Sequence, residues 1–220
     1  MRNFLAFVLA MTLVLFGKML LNPMPTGAVT PSDVGIAKTE DLRSLASNQN
    51  NAVEKDGVRF EILVPENTWI IPDNKPDAST PVRLGIRMTN KTQKPIRLSR
   101  FNTPTLIIKG QDGKSTAAIR QNGPIDPSDS DYPLVMPGES LIFLLKGQLF
   151  WAYDKYLKLS GTNESGAVWY LEGLKAGTYQ LGLSYLSALP RFHKLDKQVL
   201  EEVWMGVIQT PFVDIHLVKS

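Results

Sequence analysis

The chain has no cysteine among its 220 residues and only two histidines, His193 and His216. The first absence excludes disulfides, thiolate metal sites, a cysteine nucleophile and lipidation of a lipoprotein-type cysteine. It leaves the compartment open, because exported proteins need not carry disulfides. The scarcity of histidine leaves zinc binding and nucleophilic catalysis poorly supplied, and no Gly-x-Ser-x-Gly elbow is present. A strong net charge is missing too. The formal charge is +3, but Arg2 and Lys18 are two of the 24 basic residues, and residues 1–30 contain no acid. What remains is 22 basic against 21 acidic residues, a net of +1, which gives no reason to expect nucleic acid. There are no internal repeats.

What is plentiful is turn chemistry. The 16 glycines and 15 prolines favour many short strands, and the length suits one medium domain that can bury its core without staples. Met1-Arg2-Asn3 precedes an apolar run over residues 4–17, which Lys18 interrupts and Met19-Leu20-Leu21 extends. The run has signal-peptide length, and Thr26-Gly27-Ala28 offers small residues for cleavage. With Lys18 snorkelling, residues 4–21 are also long enough to span a bilayer uncleaved. Residues 1–28 are therefore expected to be a signal peptide or a membrane anchor, and the protein exported to a periplasmic, luminal or extracellular space. Residues 29–56 are polar and aperiodic and read as a flexible tether, which puts the folded domain at 57–220.

In that domain the alternation is clean. Val58, Phe60, Ile62 and Val64 face one way; Arg59 and Glu61 face the other. After a Pro- and Asn-rich loop over 65–81, Val82, Leu84, Ile86 and Met88 alternate with Arg83, Arg87 and Thr89. Residues 90–94 read as a hairpin turn before a strand carrying Ile96 and Leu98. Further strands are expected over 105–109, 114–119, 141–145 with an extension toward Phe150-Trp151, 168–171 and 179–186, with Val207-Ile208 and 212–218 as the final strand or strands. Gly177-Thr178-Tyr179 entering a strand has the form of a tyrosine corner. Leu195, Val199 and Val203 recur at fourfold spacing, which predicts a short helical insertion at about 187–206 whose apolar stripe packs on its own sheet edge. The architecture that fits is all-β: an immunoglobulin-like antiparallel β-sandwich with that insertion and the N-terminal segment.

Several of these stretches also resemble a known family. The pattern over 82–98 with Thr89-Asn90-Lys91-Thr92 and Lys94-Pro95, Phe101 followed by 106–113, Pro137-Gly138-Glu139-Ser140 launching a strand, and the corner over 174–179 are similar to the intracellular proteinase inhibitor (BsuPI-like) family. The resemblance covers roughly residues 57–186. It implies an immunoglobulin-like domain and, by family, inhibition of a protease, for which a loop such as 65–81 would have to be reactive.

Each candidate site stands beside a simpler reading. Gly110-Gln111-Asp112-Gly113-Lys114-Ser115 has some of the composition of a phosphate loop, but as a hairpin turn it needs no further explanation. Asp126, Asp129 and Asp131 could gather around calcium or belong to a solvated loop. Asp214 and His216 lie side by side on one strand, an arrangement in which the acid does not orient the imidazole as a triad needs. Arg59, Arg83, Arg87 and Arg97, with Arg100 near, would form a basic stripe for an anionic envelope component or acidic partner if their strands are neighbours. The simpler reading is a wet strand face with acids such as Glu61 pairing across strands. Trp151, Tyr153 and Tyr156 could anchor an interface or stack on sugars, or cap the open end of the sandwich. These observations predict a non-enzymatic exported binding or assembly module of the cell envelope, with no cofactor or metal, whose partner is an unknown protein or an anionic envelope component. The alternatives are a protease inhibitor, by resemblance, and a carboxylate-dependent enzyme.

Overall fold

The computed structural model describes residues 49–101, 104–121, 127–163, 166–188 and 196–219. The expected signal or anchor segment, the tether up to residue 48, Asp126, His193 and Leu195 lie outside the described residues. In chain order the strands are β1 (Ala52–Lys55), β2 (Val58–Leu63), β3 (Thr68–Ile71), β4 (Ser79–Asn90), β5 (Ile96–Arg97), β6 (Thr105–Lys109), β7 (Ser115–Ala117) and β8 (Ile119–Gln121). They continue with β9 (Leu134–Val135), β10 (Ser140–Ala152), β11 (Tyr156–Thr162), β12 (Val168–Leu174), β13 (Gly177–Ser187), the helix α1 (Lys197–Glu202), β14 (Gly206–Gln209) and β15 (Val213–Lys219). Among the described residues, no helix is long and apolar enough to cross a membrane.

Two antiparallel sheets make a sandwich-like arrangement. One has the order β1-β2-β4-β10-β11-β12-β8; the other runs β3-β15-β13-β6-β7, with β14 also paired to β13. The β3–β15 pairing is the parallel one. The apolar alternation sets what each sheet turns inward. Val58, Phe60 and Ile62 meet Leu84, Ile86, Phe143, Leu183, Tyr185 and Ile215 in one buried cluster. Fully burying each such side chain stabilises the fold by about 1.5–3 kcal/mol, which is why a cysteine-free chain of this size holds together. Gly147 and Gly161 face each other across β10 and β11, and the Trp169 indole fills the space above them. A Cβ on Gly161 would sit 2.0 Å from the Lys146 carbonyl oxygen and 2.7 Å from Trp169, so no other residue fits there.

Four expectations change. Residues 52–55, read as tether, form β1, which pairs with β2. Asp56 and Gly57 join them with φ of 51° and 73°, the two-residue turn that an Asp-Gly pair favours. The signal was weak because β1 is an edge strand with little apolar alternation. The stretch 65–81, read as one loop, contains β3 and the start of β4; the partner of β3 is the distant C-terminal strand, which no local pattern announces.

Residues 90–94 are not a β-hairpin, because β5 pairs with β9 rather than β4. The buried Asn90 carboxamide organises a corner instead, donating to the Lys94 and Val135 carbonyls at 2.8 and 2.9 Å and accepting from the Thr92 amide and hydroxyl at 2.9 and 2.7 Å. Among the described residues of the insertion the helix is α1, and its buried Val199 and the following Val203 pack on Tyr132 and Phe101, not on an edge of either large sheet. The Trp204 amide donates to the Arg97 carbonyl at 2.9 Å, and the Trp204 ring lies 4.9 Å from Phe60 and 6.0 Å from Tyr185. That indole ties the helix and the small β5–β9 sheet to the main core.

Candidate functional site

Strand registers bring four connections to one end of the sandwich. Ser79 lies opposite Phe150, so residues 72–78 sit beside the β10–β11 hairpin. Leu157 lies opposite Leu174, which puts that hairpin next to the β12–β13 turn. Gln180 lies opposite Lys109, adding the β6–β7 hairpin.

Between the β6–β7 hairpin and the β12–β13 turn is an open cleft of about 410 Å³. Asp112, Lys114, Glu172, Lys175 and Tyr179 are among the residues that line it, so its fixed charges are of both signs. One wall is the tyrosine corner: the Tyr179 hydroxyl donates to the Lys175 carbonyl and accepts from the Lys175 amide, each at 3.0 Å. Opposite it, Gly110-Gln111-Asp112-Gly113 is the expected hairpin turn. The Gly113 amide donates to the Gly110 carbonyl at 3.0 Å, and the Lys114 amide to Asp112 Oδ1 at 3.0 Å. A strand follows rather than a helix, so the setting of a phosphate loop is missing.

Next to the cleft, the three aromatic residues take three roles. Trp151 faces inward and its Nε1 donates to the Pro72 carbonyl at 2.9 Å, capping the sandwich end. Tyr156 is half-buried. Tyr153 is 82% exposed, with its ring centre 6.2 Å from that of Tyr156 and the planes tilted by 57°. Tyr153 and Asp154 both have φ of 54°, and Asp77 has 64°. These are three of the four non-glycine residues with positive φ among the described residues, and all lie at this end. The Asn74 side chain donates to the Asp154 carbonyl at 3.3 Å, joining the loop to the hairpin tip. In the same loop Lys75 hydrogen-bonds Asp73 at 2.7 Å, and this bond and the ammonium charge hold the Asp73 carboxyl below its usual range.

The arginines are placed differently. Arg59, Arg83 and Arg87 lie on the adjoining β2 and β4, whose registered pairs include Glu61 with Arg87. Arg87 Nη1 is 3.1 Å from Glu61 Oε2, with the two side chains only 11% and 4% exposed, and Arg83 is paired with Glu66. Arg97 lies on β5, outside that sheet, bonding Glu202 at 3.3 Å and the Tyr132 carbonyl at 2.9 Å. The stripe is therefore divided between two places and interleaved with acids.

The remaining candidates are structural in their surroundings. Asp131 Oδ2 accepts from the Ser128 amide and hydroxyl at 2.8 and 2.9 Å, closing a short 3-10 turn. His216 Nδ1 lies 3.1 Å from the Thr178 hydroxyl, and Asp214 accepts from Gln180 at 3.3 Å, so the two neighbours turn to different partners. Among the described residues no three acidic, His or Cys side chains gather as a metal site. Sequence reasoning missed one buried contact: the Tyr185 hydroxyl donates to the Ser99 carbonyl at 2.8 Å, and burial pushes this phenol far above its usual range. The two residues are 86 positions apart, and only the alternation of β13 hinted that Tyr185 points inward.

No family model matches the chain, and no curated protein does. Among solved structures it is similar to a Northeast Structural Genomics Consortium target, SoR45, at 17% identity and a TM-score of 0.27. That match covers 54% of this chain and 83% of the other. A likeness at that level carries no argument about fold or function.

Proposed function

We propose that the protein is a non-enzymatic binding module of the cell envelope: an immunoglobulin-like sandwich, delivered or anchored by residues 1–28, that meets its partner with the loops at one end. The immunoglobulin-like reading is supported by the tyrosine corner on β13 and by the way β2 and β3 divide between the two sheets. The observation that carries the binding role is Tyr153. A large aromatic ring stands 82% exposed on a backbone conformation that favours Asn or Gly, with its one ring contact, to Tyr156, made at the surface. Departures from local preference without a structural benefit are expected where a surface is kept for use.

The test is co-purification from envelope extracts using the tagged full-length chain and its Tyr153→Ala variant. Partner retention by the parent and its loss in the variant is the expected result. Equal retention by both would move the site away from this end.

A further inference from the structure

We infer that the loop end recognises a neutral oligosaccharide, stacked on Tyr153 and Tyr156 and hydrogen-bonded by the adjoining cleft; this rests on the binding-module reading above. Two features decide the chemistry. The first is the shape of the aromatic surface. Two tyrosine rings 6.2 Å apart and tilted by 57° form an angled platform on a hairpin tip. A protein hot spot is centred on an anchor in a fully desolvated pocket, whereas this platform projects from the end of the sandwich. A pyranose needs only a flat exposed ring to cover its C–H face, and tyrosine offers that ring with a polar tip.

The second feature is the polarity of the neighbouring cleft. It offers Asp112 and Glu172 as acceptors, Lys114 and Lys175 as donors, and Thr116 and Thr178 as both. Sugar hydroxyls donate and accept, so they match such a mixture. The four charges balance, which gives no preference for an anionic or cationic ligand. Part of that charge is already matched locally, because Lys114 lies 3.7 Å from Asp112 and Glu172 bonds Lys158 at 3.0 Å. Among the described residues lining the cleft this leaves Lys175 as the one cation without a carboxylate partner, and a single such cation serves an anionic polymer poorly, so the neutral ligand is favoured. The Leu157–Leu174 register places the cleft and the platform on adjacent strands, so one short chain of sugar rings can use both.

The experiment is calorimetric titration of the full-length protein with chitohexaose, cellohexaose and maltohexaose. Binding of at least one is expected. For that sugar, Tyr153→Ala should weaken affinity about tenfold, the size of one lost aromatic contact. Tyr153→Phe keeps the ring and should stay close to the parent, and Val207→Ala, an exposed residue on β14 at the other end of β13, should change nothing. No binding of any of the three sugars overturns the inference, and so does binding that Tyr153→Ala leaves intact. If the sugars fail while an envelope partner is still lost with Tyr153→Ala, the oligosaccharide is wrong and the module reading stands. If neither a sugar nor a partner depends on Tyr153, both fall.

Discussion

The outer face of β2 and β4 and the loop end treat their functional-looking groups in opposite ways. On the sheet face, Arg87 and Glu61 satisfy each other at 3.1 Å in near-complete burial, and Arg83 has Glu66. At the loop end, Tyr153 spends conformational energy to stand in solvent. A charge that is already neutralised and shielded contributes to the fold, while a ring on a disfavoured backbone conformation, 82% exposed and touching one other ring, contributes little to it. The comparison teaches that the arginines, the more conspicuous sequence feature, are the weaker candidates for recognition.

The largest effect should come from breaking the sheet-face pair. Glu61→Ala removes the carboxylate 3.1 Å from the buried Arg87 guanidinium, and should destabilise the fold by about 2–4 kcal/mol in urea unfolding. The double variant Glu61→Leu with Arg87→Met should recover most of that loss, since both charges leave together. Next in size is the buried phenol. Tyr185→Phe removes the donor to the Ser99 carbonyl and should cost about 1–2 kcal/mol.

Smaller and opposite in sign is the expected result at the hairpin tip. Tyr153→Asn puts a residue that accepts positive φ where φ is 54°, and should stabilise the fold by about 0.5 kcal/mol while abolishing partner binding. A gain of stability with a loss of binding at one residue is what the comparison requires. The smallest effect belongs to Asp73. Its folded-state carboxyl is held low by Lys75, so its contribution is present above the ordinary carboxylate range and fades as pH falls through the lowered value. Lys75→Ala should return the Asp73 titration, followed by NMR, toward its ordinary position and leave global unfolding unchanged, since the pair is fully solvated.

The core was legible because period-2 alternation is a local signal. Val58, Phe60 and Ile62, and Val82, Leu84, Ile86 and Met88, are buried as the pattern indicated. Tyr179 makes its corner because Gly-Thr-Tyr states it in three adjacent residues. What was not legible depends on partners far apart in the chain. The β3–β15 pairing, the β5–β9 sheet and the docking of Trp204 on Phe60 and Tyr185 are set by tertiary contacts with no local signature. The aromatic triplet was visible as composition, but its division into an inward Trp151, a half-buried Tyr156 and an exposed Tyr153 follows from the hairpin geometry. The cleft was invisible, since its two walls are about sixty residues apart in the sequence and are brought together by the sandwich.

The most direct test of the central claim is retention of three full-length proteins on an immobilised envelope fraction: the parent, Tyr153→Asn and Arg83→Glu. A recognition site at the loop end predicts that the parent and Arg83→Glu are retained and Tyr153→Asn is not. Retention of Tyr153→Asn with loss of Arg83→Glu would contradict it and return the partner to the arginine face.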